Sequence, residues 1–564
     1  MDAFKNLHLY LFIPLLCIVF YYCIEIYVNK EFLKHLFKSS FYRNGEIPLS
    51  ELYSSVICRG TNHTDRICHF KHLCYDPQSK SFVFLHNQKS IRSGLPHDRF
   101  SPTLIDFSSV DDHNTQYFNF VELPDTFISK FNISYLKGNF LIFKRFNPEN
   151  LMHVFHDDLL PSYSTLTELY TNREIEEGIV SFVFADDREP GPYRHIYENF
   201  LYKKPLYIKL LSKEYLYCFE RTHIGLNKYS TWYQYGFRKP QGALPKSNLE
   251  ISPIILAFQE YFQQKFSLKS HEEKKCAVLL TRKRNRRLLN EYEIKLSIFE
   301  TLGLDTFVMN LEENSVFQII EKIMKCQIMV GIHGSLLILS LFLKKFSVLL
   351  EIFPYGVPSN ISTPYKTLAE IPGLNLIYRA LENKLEKNSV PHPEYPPELG
   401  GILHLSDSEQ SKIKNSFVSP FLCCDNPIWL YRIYQDTFVD IISFKNALIE
   451  TQNEKNQSQL KREIVHYNIY PSTVRDCVCN ISMDSKTLTL YWEVPWNIAF
   501  MNVSYIEYEI WVQDTSNDDV QAFITKKNYF YLKAELFEKT YYVWIRCYSN
   551  GLIGPFNSSP LICP

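Results

Sequence analysis

"QIMVGIHGSLLILSLFLKKFSVLLEIFPYG" occupies residues 327–356. It reads as a strand, a tight loop, an apolar helix and a second strand. Continuous apolar runs of strand length suit strands covered on both faces. The same grammar recurs in "GIVSFVFA" (178–185) and "CAVLLT" (276–281), with "QIMVGI" (327–332) and "SVLLEIF" (347–353) as further strands. Helical patterns lie between them, as in "EYEIKLSIFETLG" and "SVFQIIEKIMKC". That alternation predicts an α/β chain with parallel β-α-β layers. About 400 residues exceed one sheet, so two such lobes are expected.

Near Tyr470 the pattern changes. "KTLTLYWEVPW" (486–496), "YIEYEIWVQD" (505–514) and "KTYYVWIRCYSNGLIGPF" (539–556) alternate with period two. They predict a small antiparallel sandwich, with Trp492 as a buried aromatic. Leu536, Thr540 and Tyr542 match the tyrosine corner of fibronectin type III modules. The polar stretch 451–463 reads as the linker before it.

The chain has 564 residues, 46 % hydrophobic, with 60 basic against 61 acidic side chains. A net charge of −1 supplies no field for nucleic acid. Leu7 to Ile24 is an uncharged run of 18 residues without a small-x-small cleavage site after it. It reads as an uncleaved signal anchor rather than a removed signal peptide, although the flanking charges do not fix its orientation. Seven Asn-x-Ser/Thr sequons follow, and Asn62, Asn132, Asn360, Asn480 and Asn502 are taken as glycosylation sites. Twelve of 14 cysteines lie beyond the run, in clusters that read as disulfides of open connectivity. The expected placement is a single-pass type II protein of the endoplasmic-reticulum membrane. A tail of 1–6, an anchor of 7–24 and a stem of 25–50 then precede the globular part.

Three stretches could carry chemistry. "RFNPENLMHVFHDDLLP" (145–161) places Asn147 and Pro148 at a helix start and Pro161 at its end. His153, His156 and Asp157 fan over one side, an imidazole beside a carboxylate, as a general base needs. Arg145 could meet an anion or hold a carboxylate. The competing reading is a core helix whose polar groups bond backbone. Metal binding is a third, but His-x-x-His lacks the zincin glutamate. In "CAVLLTRKRNRRLLNEYEI" (276–294), Arg282 and Arg286 follow a strand's carboxyl end, where α/β sheets bind ligands. In "GIHG", His333 and Gly334 open a helix N-terminus that attracts phosphate, and Glu351 ends the next strand, where it could accept ribose hydroxyls. A surface loop and a solvated acid are the plain alternatives. Asp186 and Asp187 in "FVFADDRE" lack the Asp-x-Asp spacing of metal-dependent nucleotide-sugar enzymes, so no metal or other cofactor is expected, and a divalent ion such as Mn²⁺ has no motif behind it.

The strings "TDRICHFKHLCY" (64–75), "VDDHNTQYFNFVELP" (110–124), "RFNPENLMHVFHDDLLP" (145–161), "STWYQYGF" (230–237), "TPYKTLA" (363–369) and "CCDNPIWLYRIYQDT" (423–437) resemble family-61 inverting glycosyltransferases. The resemblance implies a two-lobed GT-B fold at 51–465, with an acceptor lobe at about 51–265. A nucleotide lobe at about 270–420, a return segment at 421–450 and a fibronectin type III module at 470–564 complete it. It implies transfer of N-acetylglucosamine from UDP-N-acetylglucosamine, in β-1,4 linkage, to O-linked mannose on an α-dystroglycan-type protein. The module would help hold the acceptor across a homodimer. His153, His156, Asp157 and Arg145 would then serve catalysis, and Arg282, Arg286, His333, Gly334 and Glu351 the donor. Ser335 and Leu336 depart from the Ala and Gln expected in relatives. The alternative from another class is a membrane-anchored carbohydrate-binding or adhesion protein with a degenerate transferase body.

Overall fold

The computed structural model describes residues 48–109, 115–236, 241–244, 251–269, 275–419, 422, 424–463, 470–482, 487–501, 503, 505–514, 520–533, 540–549, 552–557 and 559–563. The apolar run 7–24 and its flanks lie outside them. Among the described residues no helix is long and apolar enough to cross a membrane. The single-pass type II placement in the endoplasmic-reticulum membrane is corrected accordingly. The chain divides into two compact units, one ending at Lys455 and the other Asn456–Pro564.

The first unit is a mixed α/β body built on two large sheets. In one, Ile133–Phe143 runs parallel to both Val180–Phe184 and Leu216–Ile224, and Ile67–Asp76 is antiparallel to Leu216–Ile224. The other sheet is wholly parallel, in the order Asp305–Met309, Cys276–Leu280, Ile328–Ile332, Val348–Phe353, Ile377–Glu382. Both faces of this sheet are covered. Val278 and Leu280 face a core shared with the first sheet, while Ala277 and Leu279 face a second core closed by Phe444 and Leu448. That two-sided burial is why these strands read as unbroken apolar runs. Helix Glu291–Leu302 ends at Gly303, whose φ of 64° is the left-handed C-cap that glycine tolerates. Ser315 and Gln318 form a capping box on helix Val316–Ile323.

Local readings needed revision. Stretch 451–463 contains the boundary between the two units, as a linker would, but its backbone is the end of helix Ile441–Glu463 rather than a loop. Asn147 makes only a local turn, and the helix cap is Asn150, whose side chain accepts the Met152 N–H. Pro161 does not stop the helix, which continues to Leu169.

The second unit packs a three-stranded sheet (Arg475–Ser482, Thr487–Glu493, Tyr529–Lys533) with a sheet built around Ile506–Asp514 and Tyr541–Ser549. Trp492 is buried and meets the Tyr508 ring edge-on at 5.2 Å. Val543, Ile545 and Cys547 face the core, so period two places Tyr541, not Tyr542, on the inner face. Tyr542 points outward against Trp544, and Leu536 lies outside the described residues.

Disulfides join Cys58–Cys68, Cys74–Cys218, Cys276–Cys326 and Cys479–Cys563. Cys58–Cys68 and Cys74–Cys218 link residues directly opposite on paired strands. Asn62, Asn132, Asn360 and Asn480 are exposed, and Asn502 lies outside the described residues.

Three imidazoles lie in the first sheet, His72 and His223 buried and His69 half-buried. Burial, then Arg59, lowers the His69 pKa to about 4; burial, then Lys71, lowers that of His72 to about 4; burial, then His69, drives that of His223 well below the ordinary value. Neutral imidazole is thus the folded form, while the unfolded chain takes up protons from about pH 6.5 downward. The unfolded state binds more protons between those values, so stability falls as pH drops from about 6.5 to 4. Denaturant midpoints measured from pH 7.5 to 4.5 should therefore decline, most steeply below pH 6.5. A flat profile would refute neutral burial of these rings.

Candidate active site

Three turns of one helix carry the histidine-aspartate cluster. Leu151–His153 is α-helical, Val154–Leu159 forms a π-turn, and Leu160–Leu169 resumes the α-helix. Pro161 lacks the N–H that would bond the preceding turn and crowds a carbonyl there, and the wider turn accommodates it. The wide turn also brings His153, His156 and Asp157 together.

Asp157 is the hub. Its Oδ2 lies 2.5 Å from His153 Nδ1 and its Oδ1 lies 2.6 Å from His156 Nδ1. The Trp232 backbone N–H donates to His156 Nε2 at 3.1 Å. A backbone amide only donates, so His156 Nε2 is unprotonated and its proton sits on Nδ1, pointing at Asp157. The Tyr235 hydroxyl, 2.8 Å from the same Nδ1, then donates to Asp157 Oδ1 at 3.2 Å. Burial opposes a charge on Asp157, yet His153 and His156 together hold its pKa far below the usual carboxylate range.

The two histidines therefore differ. His156 is fully buried with both nitrogens engaged, so it cannot accept a proton from a substrate. His153 gives Nδ1 to Asp157 and keeps Nε2 without a hydrogen-bond partner among the described residues. Its ring remains partly accessible between Phe146 and Tyr235, at 4.6 and 4.8 Å. A histidine oriented by a carboxylate through one nitrogen and open at the other has the arrangement that general-base chemistry requires.

Arg145 holds a carboxylate, the second of its two readings, and does not face a substrate. It is wholly buried, with Nε 3.1 Å and Nη2 2.7 Å from Asp186 and Nη1 3.0 Å from the Pro190 carbonyl. Its guanidinium also covers the Phe184 ring at 4.8 Å. Nothing remains to meet a substrate. Asp186 is thereby consumed, and Asp187 is exposed beside Lys80. Among the described residues no group of three or more His, Cys, Asp or Glu side chains is set to hold a metal.

The second cluster lies beyond the carboxyl ends of the parallel strands. A Cβ on Gly334 would sit 2.6 Å from Arg286 Nη1 and 3.0 Å from Arg282 Nη2, so both guanidinium groups rest on this glycine. Gly334 has φ 154°, and the 3₁₀ turn Ser335–Phe342 starts right after it. Neither arginine has an acidic partner among the described residues, and Arg286 Nε is buried unpaired. Arg286 holds the left-handed φ of 54° and stacks over Tyr434 at 4.4 Å. Burial, then the neighbouring Arg286, pulls the Arg282 pKa down to about 10. Two unneutralised guanidinium groups above a glycine backbone make a site for an anion. Arg287 instead binds the buried Asp436 through its amide at 2.7 Å and Nε at 2.8 Å.

Glu351 needs correction as a ribose ligand. It lies two residues inside the strand end, fully buried, with Oε1 2.5 Å from His333 Nδ1 and Oε2 accepting the Tyr378 hydroxyl at 2.6 Å. His333 is itself buried, stacked on Phe353 at 5.0 Å, with Nε2 3.2 Å from Ser362 Oγ. The pair fixes the loop that presents Gly334.

The two clusters adjoin within one unit. Leu151–His153 packs against Ser335–Phe342, with Phe155 and Phe342 rings 5.7 Å apart. Trp232 Nε1 donates to the Pro364 carbonyl at 2.9 Å, and the Tyr233 hydroxyl accepts the Thr363 N–H at 3.0 Å. Tyr365, on the helix begun there, feels the charge of Arg282 and Arg286 and lies within electrostatic reach of Tyr235. Trp232, Tyr235 and Tyr365 were invisible as site residues. Their only signal is polar-tipped aromatics in "STWYQYGF" and "TPYKTLA".

The Glycosyltransferase 61 family model matches residues 243–350. Protein O-linked-mannose beta-1,4-N-acetylglucosaminyltransferase 2 of Xenopus tropicalis is 39 % identical over 523 residues, 90 % of this chain and 88 % of that protein. The proteins of that name from Danio rerio and Mus musculus are 39 % and 37 % identical, covering 93 % and 91 % of this chain and 91 % and 90 % of theirs. The chain belongs to glycosyltransferase family 61. Arg282, Arg286, His333 and Gly334 fall inside the family-61 match, and the His153 helix falls outside it. Among solved structures, the FN5 domain of Drosophila Lar aligns at 13 % identity over 16 % of this chain and 94 % of that one, with a TM-score of 0.14, too low to carry an argument.

Gly334→Ala should push both guanidinium groups off the backbone. Isothermal titration with inorganic pyrophosphate should show at least tenfold weaker binding than the native chain, with an unchanged melting temperature. Undiminished binding would place the anion elsewhere.

Proposed function

We propose that this family-61 glycosyltransferase moves N-acetylglucosamine from UDP-N-acetylglucosamine to the 4-hydroxyl of O-linked mannose on a protein, in one inverting displacement. One observation carries the reading. His153 Nε2, without a partner among the described residues, lies on a helical turn packed against Ser335–Phe342, and the uncompensated Arg282–Arg286 pair rests on Gly334, the residue that opens that same 3₁₀ turn. One is fit to take a proton, the other to receive a pyrophosphate. The names of the relatives supply the sugar and the linkage.

In this mechanism His153 Nε2 removes the hydroxyl proton as the oxygen attacks the anomeric carbon. The bond from that carbon to the β-phosphate oxygen breaks, and UDP departs with the electron pair. Asp157 stabilises the imidazolium; Arg282, Arg286 and the Gly334 amide stabilise the charge growing on the leaving diphosphate. The buried His156 and Tyr235 keep Asp157 aimed at His153. The two sheets of the first unit would form the GT-B lobes, at about 51–265 and 270–420, with 421–450 as the return segment. The second unit, with its three-stranded sheet set on a larger one, fits a fibronectin type III module that helps hold the acceptor, across a homodimer.

His153→Ala should lower kcat by about 10²–10⁴-fold while the Kd for UDP stays within twofold. Asp157→Asn should cost a comparable factor, since an amide cannot accept from both imidazoles. The checks are UDP release with a mannosyl peptide, linkage analysis of the product, and calorimetric UDP binding. Full turnover in His153→Ala would remove it as the base.

A further inference from the structure

The outer face of the three-stranded sheet in the second unit carries a tyrosine stripe. Strand register places Asn480, Thr489 and Tyr531 in one row and Val478, Tyr491 and Tyr529 in the next. Leu488 and Leu490, on the alternate positions, are buried, so both rows face outward. Tyr529 and Tyr531 rings lie 5.3 Å apart and Tyr491 and Tyr529 rings 6.3 Å. Val478, Tyr491 and Tyr531 are 49 %, 43 % and 57 % exposed, an unusual amount of apolar surface for three neighbouring positions.

Asn480 stands at the edge of that stripe. It is exposed, its side chain takes no part in the sheet ladder, and it opens the sequon Asn480-Ile481-Ser482. The contrast with Asn557, another sequon, is informative. Asn557 accepts the Ile545 N–H at 2.6 Å and donates to the Val543 carbonyl at 3.3 Å, so its amide is spent on the sheet. Beside Asn480 the short Thr489 forms a shallow floor, bordered by Tyr491 and Tyr531. A pyranose ring presents an apolar face of C–H groups, which pack on an aromatic ring while the sugar hydroxyls stay in water.

We propose that Asn480 carries an N-linked glycan whose first N-acetylglucosamine lies over Thr489 against Tyr531 and Tyr491. The sugar covers the tyrosine stripe and stabilises the sandwich. The disulfides of this chain, one of them Cys479–Cys563 on the adjoining residue, belong to an oxidising compartment of the kind in which such glycans are added.

The test uses the full chain expressed in a glycosylating eukaryotic cell. Peptide mapping should find N-acetylhexosamine on Asn480. Trimming to a single N-acetylglucosamine with an endoglycosidase should leave the melting temperature of the second unit unchanged. Complete removal with a peptide N-glycosidase should lower it by about 4 °C. Tyr531→Ala should cost stability in the glycosylated protein and little in Asn480→Gln, so the two changes do not add. An unmodified Asn480 overturns the proposal. So does a Tyr531→Ala effect that is the same with and without the sugar. Concentration-dependent self-association abolished by Tyr531→Ala, with Asn480 bare, would assign the stripe to a second copy of the chain instead.

Discussion

A buried, ionised carboxylate governs this site. Isolated in a protein interior, such a charge costs several kcal/mol, and the group would ordinarily take up a proton instead. Asp157 keeps its charge because three donors converge on it: His153, His156 and Tyr235. Hydrogen bonds to a charged group contribute about 1.5–3 kcal/mol each. The donors come from separated parts of the chain, so the carboxylate also fixes how those parts meet. The helix brings both imidazoles, while the 230–235 segment brings Tyr235 and the Trp232 amide. That amide locks His156 in one tautomer, so of the two imidazoles on Asp157 it is His153 that keeps a nitrogen open among the described residues. Specificity of role thus arises from a backbone donor that no side-chain pattern encodes.

The arginine cluster applies the opposite logic. Burial, then the nearby Arg286, lowers the affinity of Arg282 for its proton, and Arg286 occupies a left-handed backbone conformation that costs about 1 kcal/mol. A structural ion pair would have supplied a carboxylate. Here the nearest companions are the rings of Tyr434, Tyr365 and Tyr193, which shape the space without neutralising it. A bound polyanion would relieve the repulsion between the two guanidinium groups. The contrast with Arg145 is instructive, because that guanidinium is fully matched by Asp186 and three carbonyl or ring partners, and it holds shape only.

Much of this could be read from sequence, and the failures share a cause. The parallel strands were legible because each is buried on both faces and so reads as an apolar run. The histidine-aspartate helix and the arginine loop were legible because charged residues interrupt such runs. Glu351 was misread because position along a strand was judged without its neighbours. Flanked by Gly331 and Ala380 on paired strands, it lies inside the sheet rather than at its rim. The π-turn was illegible because no residue code marks an extra residue in a turn, and Pro161 alone suggested a stop. Tyr541 and Tyr542 show the same limit at one-residue scale, since only the burial of Val543 and Ile545 sets the phase.

The neighbouring aspartates show how far environment overrides chemistry. Asp157 and Asp158 are identical in sequence terms, adjacent and fully buried. Two buried carboxylates that were both ionised would repel. The fold gives them unlike partners. Asp157 faces two imidazoles and stays charged. Asp158 faces the Tyr197 hydroxyl at 2.5 Å and the Phe146 amide at 3.0 Å, and burial, reinforced by the charge on Asp157, raises its pKa well above the ordinary range. Burial thus has opposite net outcomes on adjacent carboxyl groups: Asp157, bonded to two imidazoles, is held below the ordinary carboxylate range, and Asp158 is pushed above it. The charge that bears on His153 is that of Asp157.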